Sequence, residues 1–228
     1  MSESNASPKS RPLRVVVFAS GRGSNFAALI EAQQRGELPI DIVALLSDKS
    51  AAAALQLARD AGVQAIALQP REYASRVEFD RAIFEHAAQF APDLIVLAGF
   101  MRIIDPTVVA PWVGRMINIH PSLLPKYPGL RTHSRAIEAR DVEHGSSVHY
   151  VTADLDGGPV IAQAFLPIAG GDTPETLAAR LLPLEHRLLV ATTRLIASGE
   201  IALCDNQVAH RGHVLAAPLH LDTDGTLR

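Results

Sequence analysis

The stretch Val15-Val16-Val17-Phe18-Ala19-Ser20-Gly21-Arg22-Gly23-Ser24-Asn25 constrains this chain more than any other. An apolar, β-branched run breaks into a glycine-rich turn. The turn opens a segment over 25–35 with Phe26, Leu29 and Ile30 at helical spacing and Gly36 as its stop. Strand, tight turn and helix start together aim free backbone N–H groups and the positive end of a helix dipole at an anion. Gly21 and Gly23 let the backbone approach a ligand, and Ser24 and Asn25 suit either a helix cap or a phosphate oxygen. Phe26 stands where a dinucleotide fingerprint needs its third glycine, and the Gly-Lys-Ser/Thr ending of a P-loop is missing. The stretch reads as a single-phosphate site, although an ordinary strand-to-helix turn would look the same in isolation.

The same alternation continues. Strands are expected over 40–46, 63–68 and 94–97, with an alanine-rich helix ending near Ala61-Gly62 between the first two. Ser75-Arg76-Val77-Glu78 fits a capping box ahead of a helix carrying Phe79, Ile83, Phe84, Ala87 and Phe90 on one face. Asp105-Pro106 reads as an N-cap with proline at the first helical position. Strands alternating with helices predict an α/β fold: a wound, mainly parallel, Rossmann-like sheet with ligands at the carboxyl ends of its strands.

The second half changes character. A strand over 116–119 runs into His120-Pro121-Ser122-Leu123-Leu124-Pro125-Lys126-Tyr127-Pro128-Gly129, where three prolines and a glycine dictate a non-helical loop. A helix is expected over 133–140. Two strands with period-2 spacing, over 146–152 and 160–166, predict an antiparallel hairpin added to the parallel sheet. Asp172 or Thr173 caps a helix over 174–197, and Pro183 is expected to kink it. Past residue 205 the periodicity is too sparse to assign. The expected organisation is a flexible leader over 1–12, one domain over 13–200 (a phosphate-binding half over 13–115 and a catalytic half over 116–200) and a tail over 201–228.

Composition narrows the function classes. The chain has 228 residues, a net charge of −3 and 20% charged residues, so no basic surface argues for nucleic acid. The single cysteine, Cys204, excludes an intramolecular disulfide and a cysteine–metal cluster and fits a reducing cytoplasm. No apolar run approaches the ~18 residues of a membrane helix, and the first residues lack the apolar core of a signal peptide.

The chemistry sits in the second half. Side chains alternate along a strand, so Asn118 and His120 share a face and aim an amide and an imidazole at one point. Asp156, in the glycine-rich stretch Leu155-Asp156-Gly157-Gly158, is a carboxylate without a packing role; near an imidazole it favours the imidazolium. A cationic donor beside an amide donor suits the oxyanion of acyl transfer. The residues alone leave other readings open: a structural histidine, a turn aspartate, and a serine nucleophile at Ser122 that lacks the Gly-x-Ser-x-Gly context. His133, His144, His149 and His186 are not separated by spacing. No H-E-x-x-H spacing occurs, so no metal is expected.

Ser20-Gly-Arg-Gly-Ser-Asn25, Leu97-Ala-Gly-Phe-Met-Arg102, Asn118-Ile-His-Pro-Ser-Leu-Leu-Pro-Lys-Tyr-Pro-Gly129, His144-Gly145, Ser147-Val-His149 and Asp156-Gly-Gly-Pro-Val-Ile161 occur in that order. Together they resemble the phosphoribosylglycinamide formyltransferases, folate-dependent enzymes of purine synthesis, over 13–199. The resemblance implies transfer of a formyl group from 10-formyltetrahydrofolate, as co-substrate, to the amine of 5-phosphoribosylglycinamide (GAR), with no metal, in a cytoplasmic monomer or homodimer. It implies catalytic roles for Asn118, His120 and Asp156, substrate-phosphate binding by Gly23, Ser24 and Asn25, and contact of Glu185 with the glycinamide. It also implies a folate pocket of Met101, Arg102, Ile103, Ile104, Val151 and Thr152, with Arg76 and Arg102 near the folate's glutamate tail, pocket-lining positions at Ser147 and His149, and a cis Leu124–Pro125 peptide. Arg131 departs from the histidine that relatives can carry, and Pro183 interrupts the helix that presents Glu185. The alternatives are a formyltetrahydrofolate hydrolase and a non-catalytic phosphoribosyl-binding module. The hydrolases carry an extra amino-terminal domain for which the dozen or so residues before Leu13 leave no room, and a binding module could dispense with Asn118, His120 and Asp156.

Overall fold

The computed structural model describes residues 11–228; residues 1–10 of the expected leader lie outside the described residues. The chain begins as sequence periodicity dictates: β1 (Leu13–Phe18), α1 (Ser24–Gln34), β2 (Ile40–Ser47), α2 (Ala53–Asp60), β3 (Gln64–Ala67), α3 (Arg76–Ala88) and β4 (Leu94–Leu97). A short α4 (Pro106–Val109) leads to β5 (Met116–His120), α5 (Thr132–Glu138), β6 (Glu143–Tyr150), β7 (Val160–Pro167) and the long α6 (Pro174–Ala197).

These elements build one eight-stranded sheet, completed by β11 (Leu219–His220), in the order β11-β7-β6-β5-β4-β1-β2-β3. Strands β1 to β5 run parallel, while β6 is antiparallel to β5 and β7 antiparallel to β6. The expected wound sheet with its antiparallel hairpin is therefore present. Alternation along β1 explains why helices cover both faces. Val15, Val17 and Ala19 pack into a core with Phe26 and Leu29 of α1 and Leu188 and Leu189 of α6. Val16 and Phe18 point the other way, into a core with Phe79, Ile83 and Phe84 of α3. Strands buried on both faces read as continuous apolar runs, as Val15 to Phe18 do.

The direction of winding reverses between β1 and β4, which are neighbours in space but not in sequence. A crevice opens at such a switch point, outside the carboxyl ends of the strands. The turn after β1 and the segment after β4 border it, and the end of β5 lies beside them.

Several local expectations are refined. Ser75 Oγ does accept the Glu78 N–H at 3.2 Å, but the Glu78 carboxylate reaches back to the Ala74 N–H, one residue outside the reciprocal box. Thr173 is the cap of α6, with Thr176 returning the bond, while Asp172 pairs with Arg180. The helix stays continuous through Pro183, since the ring removes one bond to the Ala179 carbonyl and packing retains the rest. Leu124–Pro125 is cis.

The segment past residue 200 carries structure that its sparse periodicity did not announce. Strands β8 (Ile201–Cys204), β9 (Gln207–His210) and β10 (His213–Val214) form a small antiparallel sheet. Then β11 lies parallel to β7 on the main sheet. Ile201, Val208, Leu219 and Leu221 join the α1/α6 core, and Arg187 of α6 donates to the Asp222 and Thr223 carbonyls.

Candidate active site

The turn after β1 is a place only glycine can hold. Gly23 sits at φ 80, and a Cβ there would lie 2.7 Å from the Ala54 Cβ and 2.9 Å from its Cα. Gly23 is also the N-cap of α1, so no side chain takes up the first-turn N–H groups. They remain directed outward, as an anion site requires. Asn25 Nδ2 donates to Glu185 Oε2 at 3.3 Å, and the buried Asn25 Oδ1 has no partner. Thus α6 delivers Glu185 to the cradle despite Pro183. The Ser20 hydroxyl donates to Asp48 at 2.6 Å and accepts the Met101 N–H at 2.9 Å, tying the cradle to the segment after β4.

Asn118 and His120 share one face at the end of β5, and the antiparallel register places His149 of β6 directly opposite Asn118. Asn118 Nδ2 lies 3.0 Å from His149 Nε2 and 3.5 Å from Asp156 Oδ1. His149 Nδ1 lies 2.9 Å from the Tyr150 carbonyl, and its Nε2, which faces the Asn118 amide, is also 3.6 Å from Asp156 Oδ1. Asp156 Oδ2 lies 3.5 Å from His120 Nδ1 and accepts the Gly129 N–H at 2.8 Å. The β6–β7 connection can come this close only because Gly158 lacks a side chain: a Cβ would fall 1.9 Å from the Tyr150 carbonyl oxygen.

These three residues line a cavity of about 440 Å³, within the range of small-molecule sites. Met101, Arg102, Ile103, Ile104, Val151 and Thr152 all contribute to its wall. Arg102 lays its guanidinium over the Phe79 ring at 4.6 Å and keeps a buried Nε without a partner. Arg76 does not line the cavity; it opens α3, where its charge acts on Asp80 and Asp105. The Ser122 hydroxyl donates to the Lys126 and Tyr127 carbonyls rather than to a histidine, so no serine nucleophile is assembled.

Residues 13–193 match the family model described as formyl transferase. The chain belongs to the formyl transferase family. It is 43% identical to the phosphoribosylglycinamide formyltransferase of Escherichia coli (strain K12) over 85% of this chain and 92% of that protein. A solved phosphoribosylglycinamide formyltransferase from Coxiella burnetii, in complex with CHES, superposes with a TM-score of 0.86 at 46% identity, covering 90% of this chain and 97% of the other. The glycinamide ribonucleotide transformylase 1 structure from Symbiobacterium toebii gives 0.85 at 38% identity, covering 89% and 95%.

The electrostatics of this formyl transferase follow from how its site is buried. Burial pulls the His120 imidazolium below its ordinary value, opposed by the Tyr127 carbonyl and the Asp156 carboxylate. Burial alone would raise Asp156, but the His149 ring, the Gly129 N–H and His120 outweigh it and hold the carboxyl below the usual range. Glu185 is pushed up by burial, against Asn25 and the Arg22 guanidinium. Behind the site, His144 is driven down to about 4 by burial and by the neighbouring His133, whose own value is lowered by burial. Among the described residues no group of three or more His, Cys, Asp or Glu could hold a metal ion, and no helix is long and apolar enough to cross a membrane.

Two contributors to the formyl transferase site escape a sequence reading. The Tyr127 carbonyl and the Gly129 N–H are backbone groups, fixed only by the fold of the proline-rich loop. Ser147 is fully buried: it donates to the Ser122 carbonyl and accepts from the Leu124 N–H and Gln163 Nε2, pinning that loop rather than lining the cavity. His149 does line the cavity, as the resemblance implies, and lies directly across the strand pair from Asn118.

Proposed function

We propose that this formyl transferase passes the formyl group of 10-formyltetrahydrofolate to the amine of 5-phosphoribosylglycinamide, yielding formyl-GAR and tetrahydrofolate in de novo purine biosynthesis. The observation that carries this reading is the placement of Asn118, His120 and Asp156 in the cavity wall, with the Ser20 link joining that wall to a helix N-terminal anion cradle. Gly23, Ser24 and Asn25 hold the ribose phosphate, and Glu185, hydrogen-bonded to Asn25, faces the glycinamide. The folate occupies the cavity walled by Met101, Arg102, Ile103, Ile104, Val151 and Thr152. Arg102 and, at the start of α3, Arg76 attend its glutamate tail.

The GAR amine attacks the formyl carbon, and negative charge develops on the formyl oxygen. Asn118 and the His120 imidazolium stabilise that charge, and an anion at this point itself counters the effect of burial on His120. Asp156 keeps His120 charged and takes the amine proton, directly or through one water; as the bond between the formyl carbon and the folate nitrogen breaks, that proton passes to the departing nitrogen, so Asp156 ends the cycle as a carboxylate. Positioning two substrates in line can supply about 7–11 kcal/mol of the barrier. In this reading every contributing residue comes from one chain, so a single protomer suffices for turnover, and both substrates are small molecules of the cytoplasm rather than nucleic acid or lipid.

The test is spectroscopic release of tetrahydrofolate from the formyl donor, with and without GAR. Release that requires GAR supports the transferase. Equal release without it would mean that water is the acceptor and the protein a hydrolase. No release in either case would leave a binding module.

A further inference from the structure

We propose that Tyr127, anchored from outside the cavity by Asp141, is a positioning residue that fixes which nitrogen of His120 carries a permanent proton and thereby favours its charged form. The inference rests on the catalytic reading of His120 above. The Tyr127 carbonyl lies 3.0 Å from His120 Nε2. A carbonyl only accepts, so Nε2 must be protonated in every state of the ring. The neutral ring then turns its Nδ1 lone pair toward Asp156 Oδ2, 3.5 Å away, an acceptor facing a carboxylate. A second proton, on Nδ1, converts that repulsion into a charge-assisted contact. If the carbonyl moved away, the ring could carry its single proton on Nδ1 and satisfy Asp156 while neutral.

What holds the carbonyl in place is visible. Tyr127 is in the left-handed region at φ 56, a conformation that persists in a residue with a Cβ only when its surroundings over-determine it. The Tyr127 hydroxyl donates to Asp141 Oδ2 at 2.8 Å, and Lys126 Nζ reaches the same oxygen at 3.1 Å. Arg135 places its guanidinium 5.0 Å from the Tyr127 ring centroid and donates to the next carbonyl, that of Pro128, at 2.6 Å. Neither Tyr127 nor Asp141 lines the cavity, so neither is placed to touch a substrate. The other titratable or charged groups acting on His120 are Asp156 from the β6–β7 connection, His149 from β6, and Arg135 from α5. His133 from α5 and His144 from β6 lie close enough to be affected by it in turn. Of these groups only Asp156 favours the imidazolium, which makes the Tyr127 carbonyl its second support.

The experiment is the pH dependence of kcat and KM for Tyr127→Phe, Asp141→Ala and Asp141→Asn, with His120→Asn as reference. Tyr127→Phe keeps the ring beneath Arg135 and removes only the hydroxyl. We expect it and Asp141→Ala to lower kcat roughly 3- to 10-fold, the value of one hydrogen bond, with KM for both substrates within about twofold. The alkaline limb of the kcat profile moves to lower pH, because the imidazolium is less favoured. Asp141→Asn, which still accepts the Tyr127 hydroxyl, restores the wild-type profile, and Tyr127→Phe/Asp141→Ala is no worse than Asp141→Ala alone. An unshifted profile in Tyr127→Phe, or Asp141→Asn as impaired as Asp141→Ala, overturns the inference while leaving the catalytic role of His120 intact. Near-normal turnover in His120→Asn would remove the catalytic reading itself, and this inference with it.

Discussion

Replacing Gly23 with alanine, beside the same change at Gly21, isolates the geometry of the cradle. The two glycines are two residues apart in one turn, yet their surroundings differ. Gly21 has no atom within 4 Å of a prospective Cβ and its φ is not positive. Gly23 lies at φ 80 with Ala54 Cβ at 2.7 Å and Ala54 Cα at 2.9 Å, and one of these is backbone of α2 that no rotamer change can move. Left-handed backbone costs a residue with a Cβ about 1–2 kcal/mol, and forcing an extra carbon into a filled space costs about 1–3 kcal/mol more. Gly23→Ala is therefore expected to destabilise the protein by roughly 2–5 kcal/mol, which a domain with about 5–15 kcal/mol in hand survives. Gly21→Ala is expected to stay within about 0.5 kcal/mol, as open surface positions do. Urea unfolding gives both values, and KM for GAR, with kcat, reports whether the cradle has shifted. If Gly23→Ala matched Gly21→Ala in both stability and KM, the close approach of the turn to α2 would have no part in shaping the site.

Asn118→Ala and His120→Ala should each lose about 2.7–4 kcal/mol of transition-state stabilisation, a hundred- to thousandfold in kcat, while still binding substrate phosphate; steady-state kinetics decide it, and near-normal turnover in either would sink the catalytic assignment. Ser24→Asp puts a negative charge where the ribose phosphate is expected and should raise KM for GAR far more than it lowers kcat; an unchanged KM would place the phosphate elsewhere. Acid should weaken the fold through His144. Its native value of about 4 lies below the unfolded value near 6.5, so between these the unfolded state binds more protons and stability falls as pH drops, by at most about 1.4 kcal/mol per pH unit. His133, lowered for the same reason, adds to it in the same direction. Urea midpoints measured from pH 7 to 4 should therefore fall less steeply in His144→Gln, and identical slopes would refute the argument.

Much of the fold was legible because it is written in side-chain periodicity. The Val15–Phe18 run gave a strand buried on both faces, and Phe26, Leu29 and Ile30 gave the helix packed on it. The two-residue spacing of Asn118 and His120 gave their shared face on β5. Strands of two to four residues, such as β8 to β11, are too short to display a period; they form because Ile201, Val208 and Leu219 find core to cover. Pro183 was expected to kink α6, and the helix nevertheless runs unbroken from Pro174 to Ala197. The hydrogen bonds that orient His120 and Asp156 come from the Tyr127 carbonyl and the Gly129 N–H. Every residue but proline carries both groups, so sequence cannot mark the ones that matter.

The two-residue strand β11 has a consequence for how this protein behaves in a crowded solution. Without it the main sheet would end on β7, eight residues of ladder with open hydrogen-bonding groups. A long, bare edge of that kind templates strands from other molecules. With β11 paired to Ala162 and Gln163, and Leu221 N–H donating to the Gln163 carbonyl, the middle of β7 is occupied from within. The opposite edge is β3, only four residues long. A sheet of eight strands thus offers a foreign strand short footholds at both margins, and a chain trimmed before Leu219 would expose the longer of the two ladders and be the form prone to aggregate.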